Sequence, residues 1–181
     1  MIIALSGHFR YMFRKSRSLV LLKEELEEVQ DYCRIYNIRN GIPLLVDMDV
    51  SKSEMLCKVP ILCIQTFVEN AIKYYGKNGQ MLQVRIQIRR IKKEDKKEFL
   101  KIRITDNGVG YTKENLDEFN KPVDKFVYKS SHVGIDNLKY RFKLIFENEA
   151  DIYFYNAPYS GAVVEMTIPV KEDDSDENIN N

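Results

Sequence analysis

The sequence predicts an α+β fold. The expected form is a two-layer α/β sandwich, a mixed and mostly antiparallel sheet with helices on one face, preceded by short helices. Three observations predict it. Five segments alternate apolar and polar residues with period two. Two segments between them repeat apolar residues every three or four positions. Before Gly41 only the helical spacing occurs.

In chain order, Ile2, Leu5, Phe9 and Met12 share one helix face. The basic run Arg14, Lys15, Ser16, Arg17, Ser18 breaks that pattern and reads as a turn. Leu22, Leu26, Val29, Cys33 and Tyr36 then follow four-three spacing, with Glu24, Glu25, Glu27 and Glu28 off the seam. Two readings stand here: a helix packed on its own domain, or the seam of a bundle or dimer. The alternating segments are Ile42, Leu44, Val46, Met48, Val50; Leu82, Val84, Ile86, Ile88; Leu100, Ile102, Ile104; Ile152, Phe154; and Ala162, Val164, Met166, Ile168. Such strands bury one face and wet the other. The cover for the buried face is a helix carrying Ile61, Ile64, Val68, Ala71, Ile72 and Tyr75, with Pro60 at its start, and a second carrying Ile135, Leu138, Phe142 and Ile145. This divides the chain into a helical region 1–40, a sandwich 41–170 with an irregular lid at about 111–132, and an acidic, disordered tail 171–181.

Bulk properties exclude several classes. A net charge of +1 gives no global basic excess for nucleic acid. The three cysteines lack Cys-x-x-Cys spacing, so neither a disulfide framework nor a zinc site is implied. No apolar run approaches the roughly 20 residues of a membrane helix.

Chemistry concentrates in three places. Glu69, Asn70 and Lys73 fall on one arc of the 60–75 helix, flanking its buried stripe. An amide oxygen there can ligate magnesium, and a lysine one turn on can meet phosphate. The alternative is a Glu69–Lys73 surface pair. Asp106 continues the inward series Leu100, Ile102, Ile104, where a carboxylate is costly unless something donates to it. A purine's exocyclic amine would serve, and Gly108 and Gly110 allow close approach of a flat ligand. A plain Asp-Asn-Gly turn explains the glycines but not the inward carboxylate. Third, Gly134 opens a helix after the polar Ser130, Ser131 and His132, and amides at such a start form an anion site or an ordinary cap.

In this order the segments resemble the nucleotide pocket of the histidine-kinase, gyrase, heat-shock and mismatch-repair ATPase superfamily. Glu69-Asn70-Ala71-Ile72-Lys73 resembles its N box and Asp106-Asn107-Gly108-Val109-Gly110 its G1 box. The run from Val133 to Phe142 resembles its G2 box, and Tyr159-Ser160-Gly161-Ala162 its closing Gly-Thr segment. Leu5-Ser6, Arg10-Tyr11, the stretch from Glu24 to Tyr32 and Arg39 are similar to bacterial sensor kinases of the YesM/LytS group. The resemblance implies a Bergerat-type ATP-binding fold with ATP and Mg2+ as ligands. It implies that Asn70 binds the metal, Lys73 the phosphates and Tyr74 the base, and that Asp106 takes the adenine amine. Gly108, Gly110 and Gly134 would shape the pocket, with Val133 and Ile135 beside Gly134. The implied reaction passes the γ-phosphoryl group to a histidine absent from this chain, then to a response regulator. A homodimer and a cytoplasmic domain of a membrane-anchored protein also follow. His8-Phe9 shares only two letters with the family's acceptor motif. His132 stands where the G2 box often has a glycine, and Thr66 stands where gyrase-type hydrolases carry their base. The competing expectations are a nucleotide-binding regulatory module without transfer activity and a non-catalytic dimerisation module.

Overall fold

The computed structural model describes residues 19–40, 43–75, 81–122, 133–147 and 149–170. Strand β1 (Leu19–Leu21) runs directly into helix α1 (Leu22–Asn40). Strand β2 (Leu44–Asp49), a 3-10 turn (Glu54–Leu56), strand β3 (Lys58–Pro60) and helix α2 (Gln65–Tyr74) follow. Next come β4 (Leu82–Lys92), β5 (Glu98–Asp106), helices α3 (Lys113–Phe119) and α4 (Val133–Phe146), then β6 (Asp151–Asn156) and β7 (Ala162–Pro169).

The main sheet has the order β2-β4-β5-β7-β6, with only β2 and β4 parallel. That pair needs a crossover, which β3 and α2 supply. Inward residues stack by register: Ile86 faces Ile104 and Ile102 faces Met166. All four are nearly inaccessible to solvent. The outer face carries ion pairs of Arg85 with Asp47, Arg89 with Asp49, and Lys101 and Arg103 with Glu165. Exposed pairs of this kind add little stability, and they leave the wet face of the sheet soluble. Ile64 just before α2 and Val68 and Ala71 within it, with Ile135, Leu138 and Phe142 of α4, close the core from the other side.

Three sequence expectations need correction. The helical region is not helical at 19–21, where β1 pairs antiparallel with β3. A three-residue strand is too short for periodicity, and its partner lies far along the chain. Pro60 does not open a helix. It ends β3 opposite Leu19, and the turn after it places Leu62 at φ 61°, so α2 starts only at Gln65. The lid is not irregular throughout, because residues 113–119 form α3. So short and polar a helix carries no amphipathic signal and depends on tertiary contacts.

Of the two readings of the 22–36 seam, the intramolecular one holds. Leu22, Leu26, Val29 and Cys33 are buried in one core with the sheet, and Tyr36 packs against it. Those residues therefore give the dimer reading no free seam. The face of Ile2, Leu5, Phe9 and Met12, the basic run 14–18, Ile42, His8, His132 and the acidic tail lie outside the described residues.

Candidate functional site

β5 delivers Asp106 to the inner face at its C-terminal end, as its even position in the strand requires. Val84 of β4 lies opposite it. Asp106 Oδ1 accepts the amides of Gly108 (2.8 Å) and Ala162 (3.2 Å). Burial nevertheless holds its carboxyl above the usual carboxylate value, outweighing those two amides. The turn that follows is tied by side chains. Asn107 accepts from Gln83 N (2.8 Å) and donates to Met81 O (2.9 Å), prolonging the β4–β5 ladder. Ser160 Oγ donates to Gly108 O at 2.8 Å.

Two glycines here are obligatory. Gly161 has φ 100°, and a Cβ on it would lie 1.8 Å from the Asp106 carbonyl oxygen. Gly110 has φ 79°, and its Cβ would meet Asn156 Oδ1 at 2.7 Å. That close approach lets Asn156 accept from Tyr111 N (2.7 Å) and donate to Tyr111 O (2.9 Å).

α3 is fixed just as firmly. Thr112 caps it by accepting from Asn115 N (3.2 Å). Asn120 pairs with both backbone groups of Phe154 (2.9 and 3.0 Å). Lys139 Nζ of α4 donates to Phe119 O at 2.6 Å and to Lys121 O. Tyr111, Phe119 and Phe154 pack ring against ring at 5.2–5.9 Å. Burial, with a smaller contribution from Asp106, raises the Tyr111 phenol well above its ordinary pKa.

Between this wall and α2 lies a cavity of about 180 Å3. A dry cavity of about 150 Å3 already holds a benzene ring. Phe67, Asn70, Ala71 and Tyr74 of α2, at three-four spacing, line one side. Asp106, Gly108, Gly110 and Tyr111 line the other, and Ile104, Ile135, Ala162 and Val164 add apolar lining. The side-chain amide of Asn70 makes no hydrogen bond to another described residue. Among the described residues, no cluster of three or more His, Cys, Asp and Glu side chains offers a metal site. A free amide oxygen still suits magnesium, which keeps most of its water and phosphate ligands.

Residues 60–172 match the family of histidine kinase-, DNA gyrase B- and HSP90-like ATPases. The chain belongs to this ATPase family. A sensor-like histidine kinase of Staphylococcus epidermidis (strain ATCC 12228) is 27% identical over 166 residues, covering 92% of this chain and 31% of that protein. Sensor protein kinase HptS of Staphylococcus aureus (strain USA300) is 23% identical over 172 residues, covering 95% of this chain and 32% of its own. The chain thus spans about a third of the length of these relatives. Two solved structures share the fold: the mycobacterial sensor histidine kinase MprB (TM-score 0.56, 14% identity, 86% of this chain, 98% of that one), and the catalytic domain of histidine kinase ThkA (TM-score 0.54, 19% identity, 83% and 93%).

Within this ATPase domain the fold gathers Asn70, Tyr74, Asp106, Gly108, Gly110 and Ile135 on one cavity. Lys73 and Gly134 do not line it. Lys73 is exposed, with its Nζ 5.0 Å from the Tyr74 ring centroid. It makes no ion pair with Glu69, which instead accepts from Gln65 Nε2 at 2.8 Å. Gly134 is exposed in the first turn of α4, beside Val133, and a Cβ on it would have ordinary room, 3.6 Å from Thr66 Cγ2. Sequence reasoning missed Phe67, Tyr111 and Phe119 as cavity builders. Phe67 was within reach, three residues before Asn70 on the same helix. The resemblance pointed to Gly161, but its contact with Asp106 joins segments remote in sequence and left no local signal of its own.

Proposed function

We propose that this ATPase-family domain binds MgATP in the cavity and supplies the γ-phosphoryl group to a histidine elsewhere in a sensor kinase. The observation that carries the reading is Asp106, a carboxylate held inward on the cavity wall with Oδ1 anchored by two amides. Its other oxygen is the acceptor for an adenine amine, with Gly108 and Gly110 lying flat beside the base and Tyr74 against it. Asn70 supplies the metal's protein ligand, and Lys73 swings from its exposed position to the phosphates. The first amides of α4, from Val133, Gly134 and Ile135, face the same anionic groups. Magnesium, when bound, neutralises charge on the β- and γ-phosphates. The chain's own residues act by holding the phosphate chain in place, so that the acceptor imidazole attacks phosphorus as ADP leaves.

Hydrolysis of the gyrase type is disfavoured. Thr66 Oγ1, at the position of that base, donates to Leu62 O at 2.6 Å and has no proton-accepting role to offer. Both staphylococcal matches extend upstream of residue 60, which supports assigning α1 to the region that links acceptor and ATPase. The wider reading places this domain in the cytoplasm, within a membrane-anchored dimeric kinase serving a response regulator.

The deciding experiment is titration with ATP, with and without magnesium, on this chain, followed by γ-phosphoryl transfer in the longer protein. Wild type is expected to bind more tightly with metal and to label the acceptor. Asn70→Ala is expected to lose most of the magnesium dependence, about tenfold in Kd. Binding without transfer in the longer protein would instead assign a regulatory module, and no nucleotide affinity at all would end the reading.

A further inference from the structure

Helix α2, which carries Asn70, has no cap of its own. Ile64 at its N-cap position is helical in backbone (φ −88°, ψ −45°) and offers no side-chain acceptor. The amides at its start are satisfied from elsewhere. Glu25 of α1, fully buried, accepts Leu62 N through Oε2 (2.8 Å) and Ile64 N and Gln65 N through Oε1 (2.9 and 3.2 Å). A carboxylate at a helix N-terminus is favoured both as a hydrogen-bond acceptor and by the helix dipole. It also pins a strained turn, since Leu62 holds φ 61°, a conformation its side chain disfavours.

Glu25 lies outside the 60–172 segment that carries the family match, yet its carboxylate bonds join α1 to that segment, and α1 is also tied to the strands just before it. Leu22 N donates to Cys57 O (2.8 Å), β1 pairs with β3, and the Asn37 amide brackets both backbone groups of Leu44 (2.7 and 3.1 Å). The Glu25 carboxylate is thus the buried joint between α1 and the start of α2.

We propose that Glu25 is a positioning residue for nucleotide binding. It sets the placement of α2, and so of Asn70, from a helix upstream of the ATPase segment. A displacement of α1 then weakens magnesium-dependent ATP affinity more than metal-free affinity, because Asn70 and one side of the base pocket ride on α2 whereas Asp106 stays on β5. The inference rests on the assignment of Asn70 to magnesium and Asp106 to adenine.

The test compares Glu25→Gln with wild type and with the exposed control Glu27→Gln, all in the full chain. Kd is measured for ATP with and without magnesium, and NMR follows the amides of Leu62, Ile64 and Gln65 and the side-chain amide of Asn70. In Glu25→Gln the Asn70 signal is expected to shift, MgATP affinity to fall about tenfold, and metal-free ATP affinity to fall by less, about threefold, through the α2 side chains that line the base pocket. Glu27→Gln is expected to match wild type. Equal loss of both affinities would make Glu25 merely structural, and an unmoved Asn70 signal would sever the link to α2; either result overturns the proposal. Should Glu25→Gln fail to fold, hydrogen exchange in wild type decides, because coupling is reciprocal. MgATP is expected to slow exchange of the Leu62, Ile64 and Gln65 amides about tenfold more than metal-free ATP does, and equal slowing overturns the proposal. If wild type binds no ATP, the function reading falls first. The Asn70 signal in Glu25→Gln then judges the positioning role alone.

Discussion

Along residues 106–112 one group after another is tied to backbone, whereas the polar groups Asn70 and Lys73 of α2 have little to hold them. Asp106, Asn107, Asn156 and Ser160 all spend hydrogen bonds on fixing that first wall. On the α2 side the Asn70 amide makes none within the described chain, and Lys73, off the cavity, rests over the Tyr74 ring. A site that reads the shape of a flat base gains from rigidity built in before binding. Groups proposed to meet metal and phosphate gain from being left free, because the ligand itself supplies their partners.

The sharpest way to break this comparison is Gly161→Ala. Its Cβ has no space beside the Asp106 carbonyl and its φ is positive, so the β5–β7 end must shift. We expect a loss of about 3 kcal/mol or more in urea unfolding. An alanine tolerated there would mean that the wall is soft.

Next is Asp106→Asn. The amide keeps an oxygen for Gly108 and Ala162 but turns a donor toward the adenine amine. ATP Kd should rise roughly 30- to 100-fold with or without magnesium, at unchanged fold, checked by calorimetric titration. The carboxyl also predicts a pH signature. Burial raises it above 3.8, so its contribution to stability is full below 3.8 and is lost as pH rises through the raised value. Binding runs the other way. Wild-type affinity should fall as pH drops through that raised value and the carboxylate is protonated, and Asp106→Asn should show no such step.

On the open side the effects shrink. Lys73→Ala should cost about threefold in MgATP affinity and leave metal-free adenosine binding alone, as expected of an exposed lysine that meets phosphate only on binding. Gly134→Ala should change stability by less than about 1 kcal/mol, because room exists for its Cβ and alanine favours helix. A large loss there would show that the start of α4 is packed as tightly as the turn at Gly161.

Much of this was legible in the residues themselves. Period-two alternation located all five strands of the main sheet, and the even position of Asp106 turned its carboxylate inward, because side-chain direction in a strand is set by counting. Helical spacing put Glu69, Asn70 and Lys73 on one arc of α2, yet of these only Asn70 lines the cavity, joined there by Tyr74, which the resemblance alone points to. What failed was short or non-local. β1 exists because Leu19–Leu21 meets Lys58–Pro60, and α3 exists because Asn120, Lys139 and the Tyr111–Phe119–Phe154 rings hold it.

By itself, then, the sequence determined the layers, the faces of strands and helices, and the direction of Asp106, since each follows from periodicity and local backbone geometry. Only the tertiary structure decided that the 22–36 seam serves its own core, that Gly161 is obligatory beneath Asp106, and that Glu25 caps a helix 39 residues away. Those contacts depend on which segments meet in space, and no residue carries that information alone.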